Sequence, residues 1–110
     1  MKKQIFEEEI YKKTGINGLI IFSIYSLAGK KDKCTFEKLL KECFSQFPKI
    51  FCFAGLSQWP DSRKLDRPLR TLRFKKLISG SPQKFFSLTK AGEKIAKEIS
   101  KTFNQRKLQI

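Results

Sequence analysis

Residues 63–89 admit few folds. Four of the chain's five arginines fall between Arg63 and Arg73. At about 100° per helical residue, Leu65, Leu69 and Leu72 gather within about 60° of one another. Arg63, Arg67 and Arg70 occupy a similar arc on the opposite side, and Arg73 flanks them. Such a helix lies on a core with one face and presents guanidinium groups with the other. Lys64, Thr71 and Lys75 extend the polar side. Pro60-Asp61-Ser62 and Asp66-Arg67-Pro68 both look like helix starts. The regular helix is expected from Asp66 as N-cap with residues 62–65 as a preceding turn, the alternative being an earlier start and a kink at the proline.

The residues that follow narrow the choice further. Leu77-Ile78 and Phe85-Phe86-Ser87-Leu88 are short β-prone runs, and Gly80-Ser81-Pro82-Gln83 between them is a turn. Lys84 sits beside the tip of the hairpin this predicts. Thr89 is placed to cap a last helix from Lys90 to about Arg106. In that helix Ala91, Ile95, Ile99 and Phe103 form an apolar stripe, and Lys90, Lys94, Lys97 and Lys101 form a cationic one.

Upstream, a short helix is expected over Lys3–Lys13, with Ile5, Phe6 and Ile10 on one side and Glu7, Glu8 and Glu9 suiting its N-terminal dipole. Ile16–Leu27 is apolar nearly all round, capped by Thr14 or Asn17, and reads as a central buried helix. Thr35 then caps a helix in which Phe36, Leu39, Leu40, Cys43, Phe44 and Phe47 follow helical spacing. Pro48 ends it. The stretch from Lys49 to Trp59 has no period but carries Ile50, Phe51, Phe53, Leu56 and Trp59, and reads as a packed connection with a short turn of helix. These elements make a mainly α fold with a small β-hairpin (α+β). The 110 residues are expected to form one domain, with a core over about 14–100 and helical extensions at both ends.

Charge points to the partner. The net charge is +14, and it is uneven: residues 1–55 carry 10 basic and 6 acidic side chains, residues 56–110 carry 14 and 4. Self-repulsion of that size is relieved by an acidic partner, nucleic acid first among them. From Arg63 to Lys76 there are seven basic residues, and Asp61 and Asp66 cannot neutralise them. Arginine pairs with phosphates and hydrogen-bonds guanine O6 and N7 in the major groove. Double-stranded DNA is therefore the expected ligand, and Arg63, Lys64, Arg67, Arg70, Thr71, Arg73, Lys75 and Lys84 are the expected contact residues. Phe74 falls on the arginine side. It is expected to pack under the hairpin, the alternative being contact with thymine methyls or sugars.

Other chemistry finds little footing. The chain has no histidine, so Ser–His and Cys–His pairs are excluded. It has no glycine-rich phosphate loop, so an enzyme is not expected, nor is a cofactor. Cys34, Cys43 and Cys52 are odd in number and lack zinc spacing. They read as reduced, mostly buried small hydrophobes in a cytoplasmic protein. The apolar run from Ile16 to Leu27 is too short to span a bilayer. The rival to DNA is a protein-interaction module, docking an acidic partner on the basic face or an apolar one on Trp59 and the Phe51/Phe53 segment.

Leu69-x-x-Leu72-x-x-x-x-Leu77-Ile78-x-Gly80, followed by Phe86-Ser87-Leu88-Thr89-x-x-Gly92-x-x-Ile95-Ala96, resembles the recognition helix, wing and following helix of winged helix-turn-helix proteins of the MarR-like and PadR-like kind. The resemblance covers roughly residues 62–100. It implies a DNA-binding winged helix acting in transcription regulation, with Arg67, Arg70, Thr71 and Arg73 on the recognition helix and Lys84 in the wing. It also implies a possible homodimer built on the first and last helices. The chain departs from the pattern at Pro48–Ser62, a longer and more aromatic connection than the usual turn between the two helices.

Overall fold

The computed structural model describes residues 14–31, 33–81 and 83–108. The helix expected over Lys3–Lys13 lies outside them. The described chain is mainly helical with two small antiparallel hairpins. Its elements run α1 (Gly15–Gly29), α2 (Phe36–Gln46), α3 (Pro48–Phe51), β1 (Cys52–Phe53), β2 (Leu56–Pro60), α4 (Arg63–Phe74), β3 (Ile78–Gly80), β4 (Phe86–Leu88) and α5 (Lys90–Leu108).

Helix α1 is the hub, as its apolar circumference demands. Six consecutive residues, Leu19–Ile24, are buried, and so is Leu27. It packs against α5, α2, α4 and β4. Thr14 stands at its N-terminus but makes no side-chain cap. At the heart of the core, Phe22, Phe47 and Phe103 meet edge to face with ring centroids 5.0–6.2 Å apart. This geometry suits aromatic quadrupoles and joins α1, the α2–α3 junction and α5.

Helix α2 begins as its sequence predicts, with the Thr35 side chain accepting from the Lys38 N–H. Its buried face is more polar than its apolar spacing suggests: Leu39 and Cys43 are buried together with Glu42 and Gln46. Partners on α1 make this possible. The Ser26 hydroxyl donates to Glu42 Oε2 at 2.8 Å, and Lys30 Nζ reaches the same oxygen at 3.0 Å. Ser23 Oγ shares its one proton between the Leu19 carbonyl at 3.0 Å and Gln46 Oε1 at 3.3 Å. A buried polar group is tolerated when it is hydrogen-bonded, and this network satisfies that condition between two otherwise greasy helices.

The connection after Phe47 holds more order than expected. Pro48 opens the single-turn α3, where a proline costs no hydrogen bond. Strands β1 and β2 then pair across an Ala54-Gly55 turn, with Phe53 opposite Leu56 and Cys52 opposite Pro60. Two short strands with no clear alternation leave no period to read, so this hairpin was not anticipated.

The β3–β4 hairpin falls where the sequence puts it, with Ile78 opposite Leu88, Ser79 opposite Ser87 and Gly80 opposite Phe86. Cys34 adds a bridge on its other side, accepting from the Phe86 N–H at 2.8 Å. Gly80 has φ 110°, and a Cβ there would collide with the Phe85 carbonyl. Helix α5 starts immediately after β4 and buries Gly92, Ala96 and Phe103, with Ile95 and Ile99 half-buried; Ala91, expected in this stripe, is exposed.

The Leu88-Thr89-x-x-Gly92 step now has a mechanical explanation. Thr89 Oγ1 accepts from the Gly92 N–H at 3.2 Å and donates to the Lys76 carbonyl at 2.8 Å. The Thr89 N–H donates to the Leu77 carbonyl at 3.1 Å. One threonine therefore caps α5 and ties it to the residues that leave α4. Gly92 presses against the same junction, so that a Cβ would collide with the Leu77 carbonyl oxygen.

Among the described residues no helix is long and apolar enough to cross a membrane. Cys34 and Cys43 are buried, and desolvation pushes both thiols up to about 12. Thiolate is the reactive form. A thiol reagent at neutral pH should thus label Cys52 in the native protein, and label Cys34 and Cys43 only on unfolding, as read by mass spectrometry. Gly92→Ala should cost about 1–3 kcal/mol in a urea melt through overpacking. Gly29→Ala, with nothing in its way, should be neutral or stabilise by up to about 1 kcal/mol.

Candidate nucleic-acid interface

Helix α4 divides as its periodicity requires. Leu65, Leu69 and Leu72 are buried, while Arg67, Arg70 and Arg73 are exposed. The helix starts at Arg63, earlier than an Asp66 cap would have it, and Pro68 lies inside it. Asp61 explains the early start. Its carboxylate accepts from the Arg63 N–H at 3.1 Å, its own N–H donates to the Phe51 carbonyl at 2.8 Å, and its carbonyl accepts from the Lys64 N–H. The first turn is thus built before the chain reaches the proline. The carboxylate also complements the positive end of the helix dipole.

The far end of α4 closes with paired backbone bonds. The Leu77 N–H reaches back to the Leu72 carbonyl and the Lys76 N–H to the Arg73 carbonyl, both at 3.0 Å. This Schellman closure needs a left-handed residue, and Lys76 supplies it at φ 59°. The closure fixes the direction in which the chain leaves α4 for β3, and hence the placement of the hairpin beside the helix.

The expected contact residues fall into two groups. Arg63 and Lys64 are committed elsewhere. The Arg63 guanidinium bonds both Asp61 oxygens, at 3.1 and 3.3 Å, and lies over the Phe53 ring at 5.1 Å. Lys64 Nζ donates to the Ile50 carbonyl at 3.0 Å. Arg67, Arg70 and Arg73 are exposed and make no side-chain hydrogen bond or ion pair among the described residues. Lys75 and Lys84 are also exposed, and Thr71 is half-buried. Arg70 and Arg73 turn towards the hairpin, where with Asp66, Phe36, Leu69, Ser81 and Gln83 they line a cleft of about 310 Å³. Helix and hairpin thereby share one concave surface, in which two arginines outweigh one aspartate.

Two cations beside this surface are not among the expected contact residues. Lys33 lies over the Phe85 ring at 5.2 Å, brought to the hairpin by the Cys34–Phe86 bridge. Lys76 is exposed at the end of α4. Only the long-range bridge places Lys33, so no local pattern reveals it; Lys76 was visible in the basic run. Phe74 corrects an expectation outright. It does not pack under the hairpin but stands 87% exposed, because α4 aims it away from the leucine face. No protein-family model matches the chain, and neither curated proteins nor solved structures provide a match.

The hydrogen bond from the Arg63 guanidinium holds the Asp61 carboxyl below its ordinary range. A depressed folded-state pKa contributes stability above the unfolded value, and that stability is lost as pH falls through the folded one. Asp61→Asn should accordingly destabilise the protein at neutral pH, and its deficit against wild type should shrink as denaturant melts are repeated on acidification through the aspartate range. A deficit independent of pH would assign the effect to the cap geometry alone.

Proposed function

We propose that the chain is a winged helix that binds duplex DNA through α4 and the β3–β4 hairpin, in a transcription-regulating role. The observation that carries this reading is the outward face of α4. Arg67, Arg70 and Arg73 stand exposed without side-chain partners among the described residues, opposite a leucine face held in the core. An α-helix of 10–12 Å diameter fits a major groove about 12 Å wide. In that pose the hairpin carries Lys84 towards the flanking backbone, and the shared cleft brings Arg70 and Arg73 close to it. Phosphate contacts outnumber base contacts in such interfaces, so most of these cations position the protein rather than read sequence.

A second reading has its own observation. Leu56 and Trp59 on the β1–β2 hairpin are 53% and 58% exposed. That apolar exposure favours a docked protein partner on the hairpin, although Phe51, at its base, is buried and unavailable for it.

Titration of the chain onto duplex DNA over a range of salt separates the two. Affinity should fall steeply, with a log–log slope of about −0.9 for each phosphate neutralised. Arg67→Ala and Arg70→Ala should each weaken binding and flatten that slope by about one phosphate while leaving the fold intact. Arg63→Ala should flatten it less, since that guanidinium is held by Asp61. Leu69→Ala should instead cost about 2–5 kcal/mol of stability as a large-to-small core change. Absence of duplex binding at low salt would move the assignment to the protein-partner reading.

A further inference from the structure

We infer that Phe74 is a specificity-determining residue that makes apolar contact with the C5-methyl group of thymine in the major groove. This rests on the duplex-binding reading of α4. Among the exposed large hydrophobic side chains Phe74 stands out at 87%, against 58% for Trp59 and 48% for Phe85. A single exposed apolar residue ordinarily carries no message. Its position is what carries one here. At about 100° per residue, Phe74 lies within about 40° of both Arg67 and Arg70, and about 140° or more from each buried leucine. It is therefore central to the cationic face, not at its margin, and whatever neutralises those arginines meets the ring as well.

The ring's chemistry limits what it can meet. A benzyl group has nothing to offer a phosphate. Burial against solvated sugar–phosphate backbone would strip water from charge for little return. A minor groove about 6 Å wide does not admit a helix, which sets aside wedging between base pairs from that side. In the major groove the base edges present hydrogen-bonding groups and one apolar group, the thymine methyl. Polar base edges facing the ring would be left unpaired, whereas a methyl would be covered on both sides. Arg67 and Arg70 hold the flanking positions and favour phosphate or guanine, so the residue adds a preference for thymine beside them. The chain keeps this ring exposed because α4 ends at Phe74 and turns at once through Lys75 and Lys76, with no element over it among the described residues.

The test uses two short alternating duplexes of the same length, adenine–thymine and adenine–deoxyuridine, which differ only in the C5-methyl. Each is titrated with the wild-type chain and with Phe74→Ala. Truncation at so exposed a position leaves stability within about 0.5 kcal/mol, checked by melting. Wild type should prefer the thymine duplex by roughly fourfold for each methyl covered. Phe74→Ala should bind both duplexes alike with an unchanged salt slope, and Phe74→Leu should restore part of the preference. An identical thymine-to-uracil ratio in wild type and Phe74→Ala, with normal salt-dependent binding by both, would overturn the inference and leave the duplex-binding reading standing. No binding of either duplex by wild type at low salt would overturn both.

Discussion

The hydroxyl of Thr89 ties together the parts of the molecule on which its proposed role depends. It bonds backward to the Lys76 carbonyl and forward to the Gly92 N–H. Lys76 belongs to the closure of α4, Gly92 to the first turn of α5, and the Leu77 carbonyl between them takes the Thr89 N–H. Helix, hairpin and following helix are thereby held at one junction a few residues across. The orientation of the hairpin relative to α4 follows from it, and so does the cleft they share. A longer side chain at 92 or a loosened cap at 89 would act on the proposed interface without touching any residue of it.

That junction explains an otherwise uncomfortable residue. Lys76 sits in a left-handed conformation that glycine adopts freely and that costs other residues on the order of 1–2 kcal/mol. Lysine returns some of that cost. Its positive charge falls at the C-terminal end of α4, where the helix dipole favours cations. Its own carbonyl receives the Thr89 hydroxyl, and its side chain extends the basic surface. Backbone strain, capping and charge are settled in one position.

Much of the fold was legible because each legible element carried its own local signal. The all-round apolar character of α1 marked it as central, Thr35 announced α2, and the leucine spacing of α4 divided its faces correctly. The Leu88-Thr89-x-x-Gly92 pattern located the start of α5. Features that depend on distant partners were not legible. Glu42 looks like a surface residue until Ser26 and Lys30 on another helix are brought against it. The β1–β2 hairpin is too short to show alternation. Asp61 stands in one of the two helix starts that the sequence offers, and Pro68, which suits a first turn, favours the other. Within the candidate site, Arg67, Arg70 and Arg73 were distinguishable from Arg63 and Lys64 only once Asp61 and the Ile50 carbonyl were in place. Phe74 was a different kind of error. Helical geometry sets it among the arginines, and that angle, not the general tendency of phenylalanine to be buried, decides its exposure.

The distribution of charge along α4 bears on why its middle is the part proposed to meet DNA. A cation is worst placed at a helix N-terminus, and there Arg63 is offset by Asp61. Cations are well placed at the C-terminus, and there Arg73, Lys75 and Lys76 gather. Arg67 and Arg70 receive neither benefit. They are three residues apart on one face, a spacing at which like charges repel by on the order of a few tenths of a kcal/mol in water. Part of the repulsion left in the free helix thus lies where the groove of a duplex would sit in the proposed complex. A polyanion seated there relieves a cost that the isolated protein carries, in addition to making new bonds. Replacing either arginine should then weaken binding more than the count of its own contacts implies, because the surviving neighbour was already partly relieved by the replacement.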